Sequence, residues 1–183
     1  DQYAATFGGF NFMEFGANDK VIVNPLRIRG DLIRELETNL VLYYMGTSRL
    51  SAKIIQAQTR NITSKNERSM EGMHKLKEQA VLMKEAVLRG RLSDLGPLLD
   101  FGWKYKKQTS DAISNPVIDE IYDVAIKAGA SGGKISGAGG GGFMMFYCPG
   151  NTRYAVIESL QKMGGETRRF HFESEGAVNW IGQ

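Results

Sequence analysis

The sequence predicts an α+β layer structure built on a four-stranded, largely antiparallel sheet. Three observations point there. Short apolar runs such as Leu40-Val41-Leu42-Tyr43-Tyr44 and Phe143-Met144-Met145-Phe146-Tyr147 have the length and composition of buried strands. Between them lie long segments with apolar residues at spacings of three and four, the period of amphipathic helices. The strand-like segments at 134–136 and 143–147 are joined by a loop too short to hold a crossover helix, so they pair antiparallel.

Taken in order, residues 10–15 and 21–26 are β-prone and flank Gly16-Ala17-Asn18-Asp19-Lys20, a turn-forming stretch, so they read as a hairpin. Asp31 is placed to cap a short helix reaching residue 37, and the strand at 40–44 follows. Thr47 or Ser48 caps the next helix, with Leu50, Ile54 and Ala57 inward. Over residues 67–89, Met73, Leu76, Ala80, Met83 and Val87 define one helical face, and Gly90 ends it. Leu95, Leu98, Leu99 and Trp103 mark another helix, in which Pro97 is tolerated because it falls in the first turn. Asn115 followed by Pro116 is an N-cap with proline at the first helical position; Ile118, Ile121, Tyr122 and Ala125 form its stripe, and Gly129 stops it. A helix over 152–163 and a half-exposed strand over 168–172 complete the chain. Phe7, Phe10, Phe12 and Phe15 are expected to close a core between hairpin and helix.

At 183 residues and 42% hydrophobic, the chain can bury one sizeable core. Its 23 basic and 20 acidic residues are interspersed, so the net charge of +3 describes a solvated surface and gives no nucleic-acid footprint. The RNP pattern of RNA-binding sheets is missing, and the run at 143–147 is too apolar to present bases. The single Cys148 excludes an internal disulfide and reads as a buried, reduced thiol, which makes the cytoplasm the expected compartment. No apolar run approaches the length of a membrane span. His74 and His171 stand apart from other ligand residues, so no metal site is expected in this chain. The abrupt, apolar start at Asp1 reads as a cut inside a longer protein.

The strongest chemical signal is Ser136-Gly137-Ala138-Gly139-Gly140-Gly141-Gly142, preceded by Lys134. So many glycines cost backbone entropy that a plain hairpin need not bear. The demand that favours them is close approach of backbone to a ligand or another loop, with N–H groups converging on an anion. A tight turn packed on a helix is the alternative. The loop is not a Walker A motif, because no Lys-Ser or Lys-Thr follows it and a strand comes next; nor is it a dinucleotide fingerprint, which needs a helix there.

This run, preceded by a helix, resembles the third motif of the GHMP kinases, the family of galactokinase, homoserine kinase and mevalonate kinase. Asp1-Gln2-Tyr3-Ala4-Ala5-Thr6-Phe7-Gly8-Gly9 is similar to the segment of the family's sugar kinases in which an Asp-Gln pair opens a helix. Phe10-Asn11-Phe12-Met13-Glu14-Phe15, Asn24-Pro25-Leu26-Arg27-Ile28 and Tyr44-Met45-Gly46-Thr47-Ser48-Arg49 resemble the branch acting on D-glycero-D-manno-heptose 7-phosphate.

The resemblance implies a ferredoxin-like C-terminal domain over 31–183, preceded by a helix and hairpin at 1–30 from the end of the N-terminal domain. It implies phosphoryl transfer from ATP, with Mg2+, to the anomeric hydroxyl of a heptose 7-phosphate for cell-surface polysaccharide precursors. Asp1 would be catalytic, taking or orienting the hydroxyl proton. Ser136, Gly137, Ala138, Gly139, Gly140 and Gly141 would form the substrate- or nucleotide-binding loop. Arg49, whose guanidinium fits phosphate bidentately, and Lys134 are candidate sugar-phosphate contacts, with a solvated surface position and a strand flank as the respective alternatives. On this reading Gly139→Val or Gly141→Val costs catalysis more than stability. The family's Pro-rich, Gly-Ser-Ser phosphate loop is absent from this chain, so the partners expected are the sugar phosphate, ATP and the chain's own N-terminal half, with no nucleic acid or membrane; alone, the chain is expected to be inactive. The competing expectations are another GHMP kinase, galactokinase-like or mevalonate-type, and a non-catalytic α+β ligand-binding module.

Overall fold

A computed structural model describes residues 2–46 and 51–180. A short helix α1 (Gln2–Phe7) leads into an antiparallel hairpin of β1 (Asn11–Phe15) and β2 (Val21–Pro25), in register from Asn11 opposite Pro25 to Phe15 opposite Val21. Asn18 and Asp19, at φ of 57° and 56°, make the turn, a conformation their short polar side chains tolerate.

The main sheet follows: α2 (Gly30–Asn39), β3 (Leu40–Tyr44), α3 (Ser51–Thr63), α4 (Glu67–Leu88), α5 (Leu95–Thr109), α6 (Pro116–Lys127), β4 (Gly132–Ile135), β5 (Phe143–Tyr147), α7 (Arg153–Gln161) and β6 (Glu166–Arg168). Its strand order is β4-β5-β3-β6 with every pair antiparallel, the ferredoxin-like arrangement. The central pair β3–β5 is apolar on both faces because both faces are covered. Val41, Tyr43, Met144 and Phe146 join one buried cluster with Ile118, Ile121 and Ala125 of α6 and Val156 and Leu160 of α7. The alternate residues Leu40, Met145 and Tyr147 face a second cluster with Leu32 and Leu36 of α2, Ala86 of α4 and Leu95 and Leu99 of α5. Cys148 is fully buried, and burial pushes its thiol up to about 12.

The Asn115 cap forms as its sequence predicts, its side chain accepting from the N–H groups of Val117 and Ile118. Four expectations need correction. The helix α2 begins at Gly30 and runs past residue 37 to Asn39; Arg29 occupies the capping position without a side-chain cap, while Asp31 sits exposed in the first turn, paired with Arg29 at 3.1 Å. The buried face of α4 is Ser69, Gly72, Gln79 and Ala86, whereas Met73 is exposed and Met83 and Val87 are half-buried. The reason is close helix contact: a Cβ on Gly72 would meet the Tyr105 carbonyl oxygen at 2.8 Å, and one on Gly102 would meet Gln79 at 2.1 Å. Small residues and one glutamine, bonded to the Leu98 carbonyl at 2.8 Å, therefore replace the apolar stripe. The final strand is Glu166–Arg168 and stops where 168–172 was expected to begin, because Phe170 and Phe172 turn onto the second cluster. Finally, Phe7 and Phe15 are exposed; only Phe10, tilted against Phe172 at 4.7 Å, joins a buried cluster. The proposed caps Thr47 and Ser48, with Leu50, lie outside the described residues, while Ile54 is buried as expected.

The ends of the described chain meet. The N–H of Gly9 donates to the Glu173 carbonyl at 2.8 Å and that of Ala177 to the Thr6 carbonyl at 3.1 Å. The contact needs glycine on both sides: a Cβ on Gly8 would lie 2.3 Å from the Glu175 backbone, and one on Gly176 would lie 1.9 Å from the Thr6 oxygen. Residues 173–177 thus hold α1 from behind.

Candidate active site

The glycine loop connects β4 to β5 at one end of the sheet. Gly137, Gly139, Gly140, Gly141 and Gly142 all have φ between +73° and +151°, a region L side chains rarely enter. The conformation is fixed from several sides. Gly140 donates to the Ile113 carbonyl at 2.8 Å, Ser136 donates to the Phe143 carbonyl at 2.8 Å, and Met45 donates to the Gly142 carbonyl at 3.0 Å. The N–H groups of Gly137, Ala138, Gly139 and Gly141 have no acceptor among the described residues. Left-handed backbone with unpaired N–H groups is the geometry of an anion-binding concavity.

Two roles divide the loop. A Cβ on Gly139 would stand 3.0 Å from the Ile113 Cα, so this glycine also serves packing against the α5–α6 connection. Gly137 is exposed, with nothing within 4 Å of a Cβ, so only its φ of +89° demands glycine. Accordingly, Gly137→Val is expected to cost roughly 1–2 kcal/mol of stability from the left-handed backbone alone, and Gly139→Val about twice that, since overpacking adds to it. Urea denaturation of both variants checks the order, and equal losses would remove the distinction.

Lys134 lies on β4 opposite Met145, half-buried, and burial lowers its ionisation. Ser136 is exposed at the loop's start. Asp1 and Arg49 lie outside the described residues; α1, which begins at the residue after Asp1, is held by residues 173–177. A residue that the sequence did not single out is Lys106, in the last turn of α5, whose Nζ donates to the Gly137 carbonyl. In sequence it is one of three lysines at 104, 106 and 107 and looks like a solvated helix end; only the tertiary contact distinguishes it.

An apolar cavity of about 370 Å³ lies elsewhere, between the hairpin, α4 and α5, lined by residues such as Phe10, Phe12, Met83, Leu99 and Phe172. Apart from Asn11 and Lys84 its lining is apolar. Among the described residues, no group of three His, Cys, Asp or Glu side chains is placed to hold a metal ion, and no helix is long and apolar enough to cross a membrane.

The ferredoxin-like sheet with a glycine loop on its β4–β5 hairpin is the fold found in GHMP kinase structures. The family model described as GHMP kinases C terminal matches residues 83–166 of this chain. Over 180 residues, 98% of its length, it is 45% identical to a D-glycero-alpha-D-manno-heptose 7-phosphate kinase of Campylobacter jejuni, of which it covers 52%. The crystal structure of a D-glycero-D-manno-heptose 1-phosphate kinase from Bacteriodes thetaiotaomicron superposes with a TM-score of 0.72 at 36% identity, over 100% of this chain and 48% of that one. Leishmania (L. major) mevalonate kinase, solved with R-mevalonate, shares the fold at a TM-score of 0.77 and 20% identity, over 96% of this chain and 52% of that one. The chain therefore spans about half the length of the relatives it matches.

Proposed function

We propose that the protein carrying this chain is an ATP-dependent kinase that phosphorylates the anomeric hydroxyl of a heptose 7-phosphate in the cytoplasm, toward cell-surface polysaccharide precursors. The observation that carries this reading is similarity along nearly the whole chain to a heptose 7-phosphate kinase, at 45% identity. The loop's unpaired N–H groups fit an anionic substrate and so support it from the geometry.

In this reading residues 1–30 end an N-terminal domain and residues 31–183 form the C-terminal one. Asp1 takes the hydroxyl proton as the oxygen attacks the γ-phosphorus, and the bond from that phosphorus to the ATP bridging oxygen breaks. Residues 136–141 line the phosphoryl path, while Lys134 and Arg49 contact the sugar phosphate. Mg2+, which neutralises phosphate charge when bound, takes its ligands from the half of the kinase that these residues do not include.

The test is a coupled assay of the full-length protein with ATP-Mg and D-glycero-D-manno-heptose 7-phosphate, with mevalonate and galactose as competing acceptors. Turnover confined to the heptose supports the proposal. Turnover on another acceptor, with none on the heptose, would replace it.

A further inference from the structure

The C-terminal end of α5 holds three lysines in different circumstances, two of them in its last turn. Lys104 pairs with Asp100 at 2.6 Å and Lys107 with Asp119 at 3.0 Å, so both are neutralised in place. Lys106 between them has no carboxylate partner among the described residues. It is half-buried, it donates to the Gly137 carbonyl, and the charged group that acts on it is another lysine, Lys134 of the neighbouring strand. Lys134 likewise has no carboxylate partner among the described residues.

Two half-buried ammonium groups of like sign are costly unless something of opposite charge completes them. The fold retains both and aims one of them at the first glycine of a loop whose next N–H groups also lack acceptors. Apart from the bond from Lys106 to the Gly137 carbonyl, these donors have no acceptor among the described residues. We propose that Lys106 and Lys134, with the N–H groups of residues 137–139, form a binding site for a phosphate monoester dianion.

The charge selects the ligand class. A carboxylate would neutralise one ammonium and offer two oxygens, whereas a phosphate monoester carries close to two negative charges at neutral pH and three acceptor oxygens. The ionisation of Lys106 agrees with this. Burial, followed by the Lys134 charge, lowers it to about 8, and a dianion bound beside it would raise it again. Binding is then accompanied by proton uptake and weakens as pH rises above about 8, where Lys106 becomes neutral.

This inference deepens the kinase reading and rests on it only for the source of the phosphate, which is either the acceptor sugar's own phosphate or one on the nucleotide. Calorimetry of the full-length protein with inorganic phosphate tests the site without reference to turnover. Lys106→Met is expected to weaken phosphate binding about ten-fold or more, as loss of a charge-assisted hydrogen bond implies, and Lys106→Arg to restore most of it. In the wild-type protein, 13C-lysine NMR should show the Lys106 signal titrating near 8 and moving upward when phosphate is added, a readout that needs no variant.

Kinetics of the same variants then identify the source. A rise in KM for the sugar phosphate with KM for ATP unchanged assigns the acceptor's phosphate, and the reverse assigns the nucleotide's. The inference is overturned if a folded Lys106→Met protein binds inorganic phosphate like wild type, or if no lysine signal of the wild type moves on adding phosphate.

Discussion

On the proposed function, Asp1→Asn in the full-length protein is expected to lower kcat by about 10²–10⁴-fold while KM for ATP stays within a few-fold of wild type. Asparagine keeps the size and hydrogen-bonding reach of the side chain but cannot accept the proton that leaves the attacking hydroxyl. ATP affinity is spared because the role proposed for Asp1 concerns the acceptor. The loose transition state of phosphoryl transfer sets the lower end of this range, since proton loss can come late. Single-turnover kinetics with saturating sugar phosphate gives the decisive rate. Unchanged turnover would remove Asp1 from the chemistry, and a loss of only a few-fold would leave it orienting the hydroxyl.

Gly132→Val should largely unfold the domain. A Cβ at this position would stand 1.9 Å from the Gly96 carbonyl oxygen and 3.0 Å from the Asp100 N–H nitrogen, both backbone atoms of α5 that no rotamer change can move aside. The reciprocal position is as close, since a Cβ on Gly96 would meet the Ser131 hydroxyl at 1.8 Å. Opening α5 away from β4 would uncover Leu95, Leu99 and Trp103, all nearly inaccessible to water. The expected loss exceeds about 4 kcal/mol, a large part of the roughly 5–15 kcal/mol by which domains are stable. Near-UV circular dichroism and urea melts measure it. Gly150→Val, where a Cβ would have open space around it, is the control and should cost only the strain of its φ of +58°. A Gly132→Val protein that melted like this control would mean that the helix–strand contact is looser than described.

That contact also explains what the sequence could and could not disclose. Where structure is decided by neighbours in the chain, the residues say so: Asn115-Pro116 starts α6 because cap chemistry is local, and the runs at 40–44 and 143–147 are apolar throughout because strands buried on both faces must be. The inward face of α4 was hidden because it is made of Ser69, Gly72 and Gln79, whose selection depends on how near α5 comes. A periodicity rule rewards methionine: it finds Met83 and Val87, which pack against the second cluster, but picks the exposed Met73 and misses the face that meets α5. Residues 168–172 alternate like a strand, yet their aromatics are claimed by the second cluster. In the site, the glycine loop was legible because its composition is improbable for a simple turn. Lys106 was not, because its meaning arises from a carbonyl 31 residues away. The role of Asp1 came from resemblance and that of Arg49 from the fit of a guanidinium to phosphate, and both residues lie outside those described.

The grip of the α5–α6 connection on the loop, through Ile113 against Gly139 and onto Gly140, has a thermodynamic consequence. A free stretch of six residues rich in glycine would surrender about 1–2 kcal/mol of backbone entropy per residue on being frozen around a ligand, enough to cancel most of the affinity of a small phosphate compound. Here folding has already absorbed that cost, because residues 137–142 are set by hydrogen bonds and packing that exist before any ligand arrives. On the proposed reading the N–H groups would meet an incoming anion preorganised, and association would retain interaction energy that a floppy loop would lose to its own ordering.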